Sequence, residues 1–136
     1  MCLYVKSRDP KSLKFKNGKV TCYKVIRNKN NYSSENVVET KYQCFTLVPG
    51  YNYPLGPLKS DDIIGAGAIH VYTNKKKALR KASTDCNHVV IPIICHAVNF
   101  IAKGTNEDAC FKKIFISKNV HTAAKKAKYK SEIVKS

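Results

Sequence analysis

The run Leu13-Lys14-Phe15-Lys16-Asn17-Gly18-Lys19-Val20-Thr21-Cys22 alternates apolar and polar side chains on either side of an Asn-Gly pair. Asn and Gly tolerate the positive φ that both central residues of a type I′ turn require, and that turn matches the right-handed twist of the strands it joins. A two-residue β-hairpin is therefore predicted, with Lys16 opposite Lys19, Phe15 opposite Val20 and Leu13 opposite Cys22. One face of it is apolar, which commits this part of the chain to a sheet with a core on one side. The other face presents Lys14, Lys16 and Lys19. Like charges across a hairpin repel, so these three lysines mark a place for an anion.

The rest of the chain reads as short strands with two helices. Val20 to Arg27 continues as strand, Arg27 to Glu35 is an Asn- and Ser-rich exposed loop, and Val37 to Leu47 is a second long β-like run anchored by Val37, Tyr42, Cys44 and Phe45. Pro49 to Gly67 reads as a long irregular connection, in which Tyr51, Tyr53 and Leu55 are expected to pack the loop against itself, with stacking of the tyrosines on bases as the alternative. Ala68 to Tyr72 is a short strand. Thr73-Asn74 then supplies cap chemistry for a helix over Lys75 to Ser83, with Ala78, Leu79 and Ala82 as its inner stripe. His88 to Cys95 is apolar on both faces and reads as a central strand, but Pro92 lacks a ladder donor, which predicts an edge position or a bulge there. A strand over Val98 to Ala102, a turn at Lys103 to Asn106 and a final strand from Phe111 to Ser117 follow. Beyond them Val120, Ala123, Ala124, Ala127, Ile133 and Val134 recur at helical spacing and predict a basic amphipathic helix. The fold class is thus α+β, a β-rich single domain with one inserted short helix and a C-terminal basic helix. Residues 1–117 form the compact part and residues 118–136 a Lys-rich helical tail.

Charge narrows the function. The 136 residues carry a formal +16, but residues 1–30 hold net +8 and residues 111–136 net +7, leaving net +1 for the eighty between them. Five of the eight basic residues in that middle stretch, Lys75, Lys76, Lys77, Arg80 and Lys81, sit on the predicted helix, and Lys125, Lys126, Lys128 and Lys130 on the tail. Such concentrated fields imply surfaces for anions, because otherwise they only repel themselves. Lys far outnumbers Arg, and Lys acts as a point charge where Arg gives bidentate base readout, so contacts to a nucleic acid would be to phosphate and independent of sequence.

Catalytic constellations are weak. Gly65-Ala66-Gly67 lacks the remainder of a dinucleotide fingerprint, and His70, His88, His96 and His121 have no evident nucleophile beside them. Cys86, His88, Cys95 and His96 flank an apolar strand whose ends lie about 20 Å apart, too far for one zinc ion, so no metal and no cofactor is expected. The six cysteines sit in or beside apolar stretches without C-x-x-C spacing and are expected to be thiols. No apolar run is long enough to cross a bilayer and Met1 to Lys6 has no signal-peptide core, which leads us to expect a protein of the cytoplasm or a virion, not a secreted one.

Several motifs carry a likeness. Met1-Cys2-Leu3, Cys22-Tyr23-Lys24-Val25, Tyr53-Pro54-Leu55-Gly56, Gly67-Ala68-Ile69-His70-Val71-Tyr72, Val89-Val90-Ile91-Pro92 and Ala109 through Ile114 resemble a small β-rich domain family of phages, large DNA viruses and gut bacteria that has no agreed activity. The resemblance covers residues 1–117 and implies a viral or mobile-element origin. A second likeness is to the ADP-ribosyltransferase scaffold: a strand ending Gly-x-His-x-Tyr, a helix shortly after it, and two strands with a Glu between them. It implies nicotinamide dinucleotide held by His70 or Tyr72 with Glu107, although the E-x-E or Q-x-E spacing of that family is missing. The leading expectation is a non-enzymatic binding or structural protein that engages nucleic acid or acidic protein neighbours, as a minor virion component or a nucleic-acid-associated protein. The enzyme is the alternative.

Overall fold

A computed structural model describes residues 3–28, 38–40, 46–54, 63–64, 67–82, 88–126 and 131–132. Among these, eleven strands form one sheet: β1 (Leu3–Ser7), β2 (Lys19–Asn28), β3 (Val38–Thr40), β4 (Gly50–Asn52), β5 (Ile63–Ile64), β6 (Ile69–Tyr72), β7 (His88–His96), β8 (Phe100–Gly104), β9 (Asp108–Phe111), β10 (Ile114–Ile116) and β11 (Ser131–Glu132). Two helices, α1 (Lys75–Lys81) and α2 (Lys118–Lys126), pack on it. The strand order is β4-β10-β7-β2-β6-β9-β8-β1-β5, with β3 beside β2 and β11 beside β7. Every pairing is antiparallel except β11 with β7. The β-rich α+β class read from the sequence is the class observed.

The β2–β7 pair organises the sheet. It runs without a register shift from Lys19 opposite His96 to Arg27 opposite His88. Its core face joins Cys22, Ile26, Val89, Ile91, Ile93 and Cys95 to Ile69, Val71, Ala109 and Phe111 of β6 and β9. Val120 and Ala124 of α2 close over that cluster together with Leu47, Ile114 and Ile116. α2 is anchored by Ser117, whose Oγ accepts from the Val120 N–H at 3.2 Å, and by the His121 ring, whose Nε2 lies 2.9 Å from the Leu47 carbonyl oxygen.

Several local expectations are corrected. Asn17 and Gly18 adopt φ of 55° and 74°, and Lys16 and Lys19 exchange backbone hydrogen bonds of 2.8 and 3.1 Å, so the turn forms as read. The arm before it does not continue as a strand. Leu13 and Phe15 still turn inward, Phe15 meeting Phe100 and Phe111 edge-on at 6.1 and 6.4 Å, but the ladder partner of Val20 and Cys22 is β7. A nine-residue apolar strand offers far more burial than a three-residue arm. Pro92 is not bulged, since the β2 register runs unbroken through it, but it stands at a local edge: the outer side of β7 has no strand partner beside it among the described residues. It stands where the outer neighbour of β7 changes from β10, beside Ile94, to β11, beside Val89 and Val90, and a break in the ladder tolerates a missing donor.

Within the expected irregular connection lie β4 and β5; the expected final strand is β10, and β9, which ends at Phe111, is a strand before it that was not expected. Of the run from Val37, β3 is strand and Val37 and residues 41–45 lie outside the described residues, as do residues 29–35 of the expected loop. The tail is not helical to Val134. α2 ends at Lys126, and Ser131–Glu132 pair with Val89 and Val90, giving the outer edge of β7 the backbone partners a buried strand requires.

Candidate functional site

The face of the β2–β7 pair opposite the main core has two ends with different cover. Tyr23, Val25 and Val90 pack with Tyr72 against Ala78, Leu79 and Ala82, so α1 lies over that end. The period of two that places Tyr23 and Val25 there also places Thr21 and Lys19 on the same face, and Pro92, Ile94 and His96 go with Val90. Phe115 stands beside Ile94, and Tyr51 beside Phe115, extending the row to the edge of the sheet. α1 has only seven residues, and this second end carries no helix among the described residues.

What lies there is aromatic and cationic. Tyr51 is 45% and Tyr53 60% exposed. The Tyr51 ring meets Phe115 at 5.2 Å and 65°, and lies 6.0 Å from the His96 ring. Lys113 Nζ is 4.7 Å from the Tyr51 centroid and 5.9 Å from that of Tyr53. A shallow cavity of about 150 Å³ adjoins the row, with Thr21, Pro92, Ile94, Phe115 and Ser117 in its wall and Ile93 and Val120 reaching it from the core side. Lys19 stands opposite His96, and Lys16 opposite Lys19 across the turn; both are exposed, as is Lys14.

The helix lysines join this face. Asn74 Oδ1 caps α1 by accepting from the Lys76 and Lys77 N–H groups at 2.8 and 3.3 Å. Capping fixes the helix over Tyr23 and Val25, and Lys76, Arg80 and Lys81 are then exposed while Lys75 and Lys77 are half-buried. Two of the basic clusters read from the sequence, the hairpin and α1, thus share one side of the sheet. The third is not brought to them: α2 packs on the opposite face with Lys125 half-buried and Lys126 exposed, and Lys128 and Lys130 lie outside the described residues.

His70 and Tyr72 are buried, whereas Glu107 is exposed. His70 and Tyr72 are 2% and 6% exposed within β6, opposite Cys110 and Asp108 of β9. Glu107 turns outward at φ 55°, its carbonyl accepting from the Thr73 N–H at 2.9 Å and its carboxylate lying 3.7 Å from Arg80 in an exposed pair. The buried acid is its neighbour Asp108, which accepts from the Asn106 N–H at 3.2 Å. Burial raises its carboxyl above the ordinary value, and the Asn106 N–H and then Lys77 act against that rise. Two carboxylates read as a solvated pair are therefore one surface ion pair and one buried group. Among the described residues no three His, Cys, Asp or Glu side chains form a metal cluster, and no helix is long and apolar enough to cross a membrane.

The sequence reading missed Lys24. It stands in the core row between Cys22 and Ile26, opposite Ile91, and is 7% exposed. The β2–β6 ladder pairs Tyr23 with Tyr72, and beside it Lys24 Nζ donates to the His70 carbonyl at 2.6 Å. Burial pushes its pKa down to about 8, the nearby Cys95 opposing the shift. The signal was present: a lysine in an otherwise apolar row of period two. Cys22, Cys95 and Cys110 are buried and free, and burial, then the Cys22 side chain, drives the Cys95 thiol well above its usual range. No family model, curated protein or solved structure matches this chain, so its likeness to the phage and viral domain family rests on the quoted motifs alone.

Proposed function

We propose that the protein is a non-enzymatic polyanion binder whose working surface is the side of the sheet that carries the hairpin lysines and α1. The observation that supports this most is that Lys16 and Lys19 stand on the same face as Lys76, although the two segments are far apart in the chain. Phosphate-rich chains gain from such a surface through counterion release, without reading sequence. Arg80 is engaged with Glu107, which lowers its contribution to such a surface.

The test is an anisotropy titration with labelled DNA and competing inorganic polyphosphate at two salt concentrations. The triple reversal K16E/K19E/K76E should weaken binding at least tenfold at low salt, and K125E/K126E on the opposite face should change it by less than a third of that. Equal losses from the two sets, or no binding by the wild type at low salt, would remove this surface from consideration and leave acidic protein neighbours or solubility as the use of the charge.

A further inference from the structure

We infer that the end of this face beyond α1 is a site for single-stranded nucleic acid, with Tyr51 and Tyr53 stacking on bases while Lys113, Lys19 and Lys16 hold the intervening phosphates. The inference rests on the polyanion reading and names the polyanion. Its ground is the juxtaposition of two exposed tyrosine rings, a lysine ammonium shared between them, and a lysine-bearing turn on the same face.

Each alternative occupant uses only part of this arrangement. A duplex presents phosphates but keeps its bases paired and stacked inside, so it meets the lysines and leaves the tyrosines idle. An acidic protein segment likewise gains from charge alone, and an apolar partner must bury the Lys113 ammonium. A single strand offers phosphates and unstacked bases along one backbone, and base-on-aromatic stacking beside cations is how such strands are held without sequence preference. The Tyr51 ring is also fixed in place before any ligand arrives, between the edge contact with Phe115, the His96 ring and Lys113. A pre-positioned ring loses little conformational freedom on binding.

The chain has eight tyrosines and no tryptophan, so tyrosine emission is not masked, and the part of the quenching lost in the Tyr51 and Tyr53 variants reports stacking there. Wild type, Y51L and Y53A are titrated, as full chains, with an oligo-deoxythymidine of about 12 nucleotides, a duplex of equal length and inorganic polyphosphate. Thermal unfolding of each variant is recorded alongside. The expected result is preference for the single strand, quenching of tyrosine emission on binding it, and roughly a tenfold loss for either variant with the single strand but not with polyphosphate. If all three ligands bind alike and neither tyrosine matters, the inference fails while the polyanion reading stands. Preference for duplex, or losses in Y53A that are the same for polyphosphate and single strand, also overturns it. If nothing binds, both fall.

Discussion

Lys24 is a cation whose Nζ donates to the His70 carbonyl, set in a row of core side chains. Its folded pKa of about 8 lies below the ordinary 10.5, so between those values the unfolded chain holds the extra proton and stability rises with pH. The burial cost is complete below pH 8 and gone by pH 10.5, a span worth about 3 kcal/mol. Cys95 and Cys110 act in the opposite sense, since burial raises both thiols, Cys110 to about 12, and stability falls as the unfolded thiols ionise from about pH 9 upward. Denaturant midpoints of wild type and K24M from pH 7 to 10.5 isolate the lysine: the rise should be present in their difference and absent from K24M. A rise of equal size in K24M would show that Lys24 is hydrated. Gly104 is the second position where one residue decides a contact. A Cβ there would overlap Asp108 Oδ1 and sit 2.8 Å from Leu3 Cγ, so G104A should cost roughly 1–3 kcal/mol by equilibrium unfolding. Gly104 is not legible in the sequence, because it depends on what a partner strand puts beside it, and Lys24 is legible only as a lysine in an apolar row of period two.

The helices differ in how much of them is local. α1 was readable to within its last turn, because Asn74 and the Ala78, Leu79, Ala82 stripe are neighbours in sequence and carry both its start and its buried side. For α2 the spacing gave the helix and not its end, since Ser131–Glu132 are recruited by the edge of β7, a partner far away in the chain. α2 is also part of the core and not an appendage held by charge, with Val120 1% and Ala124 0% exposed. V120A should therefore cost about 2 kcal/mol, and a chain ending at Ser117 should lose cooperative unfolding as Ile114, Ile116 and Leu47 are uncovered. A thermal melt followed by tyrosine emission and by far-UV circular dichroism checks both. A sharp transition in the truncated chain would mean the sheet closes without this helix.

At the scale of the molecule, charge is sorted by the sheet. The chain concentrates lysines in three segments, and the alternation of β2 and β7 puts two of them on one face, with an aromatic row on that face running out to the sheet edge. If Lys14, Lys16, Lys19, Lys76 and Lys113 each meet a phosphate, log affinity for a single strand against log salt should slope near −3.5. A slope shallower than about −1 would mean that these lysines do not act together. Sequence by itself determined what is local or periodic: the Asn17-Gly18 turn, the apolar strand His88 to Cys95, the capped helix, the basic clusters and the β-rich class, because turn geometry, side-chain period and charge need no knowledge of distant partners. Only the tertiary structure decided which strands pair. That pairing made Lys24 a buried group, separated Asp108 from Glu107, moved Tyr51 from an expected loop packing role to an exposed row, and placed α2 against the core. Strand register is fixed by contacts between segments far apart in the chain, and a shift of one residue exchanges the two faces, so the surface a lysine or tyrosine ends on follows from its partner strand and not from its own neighbours.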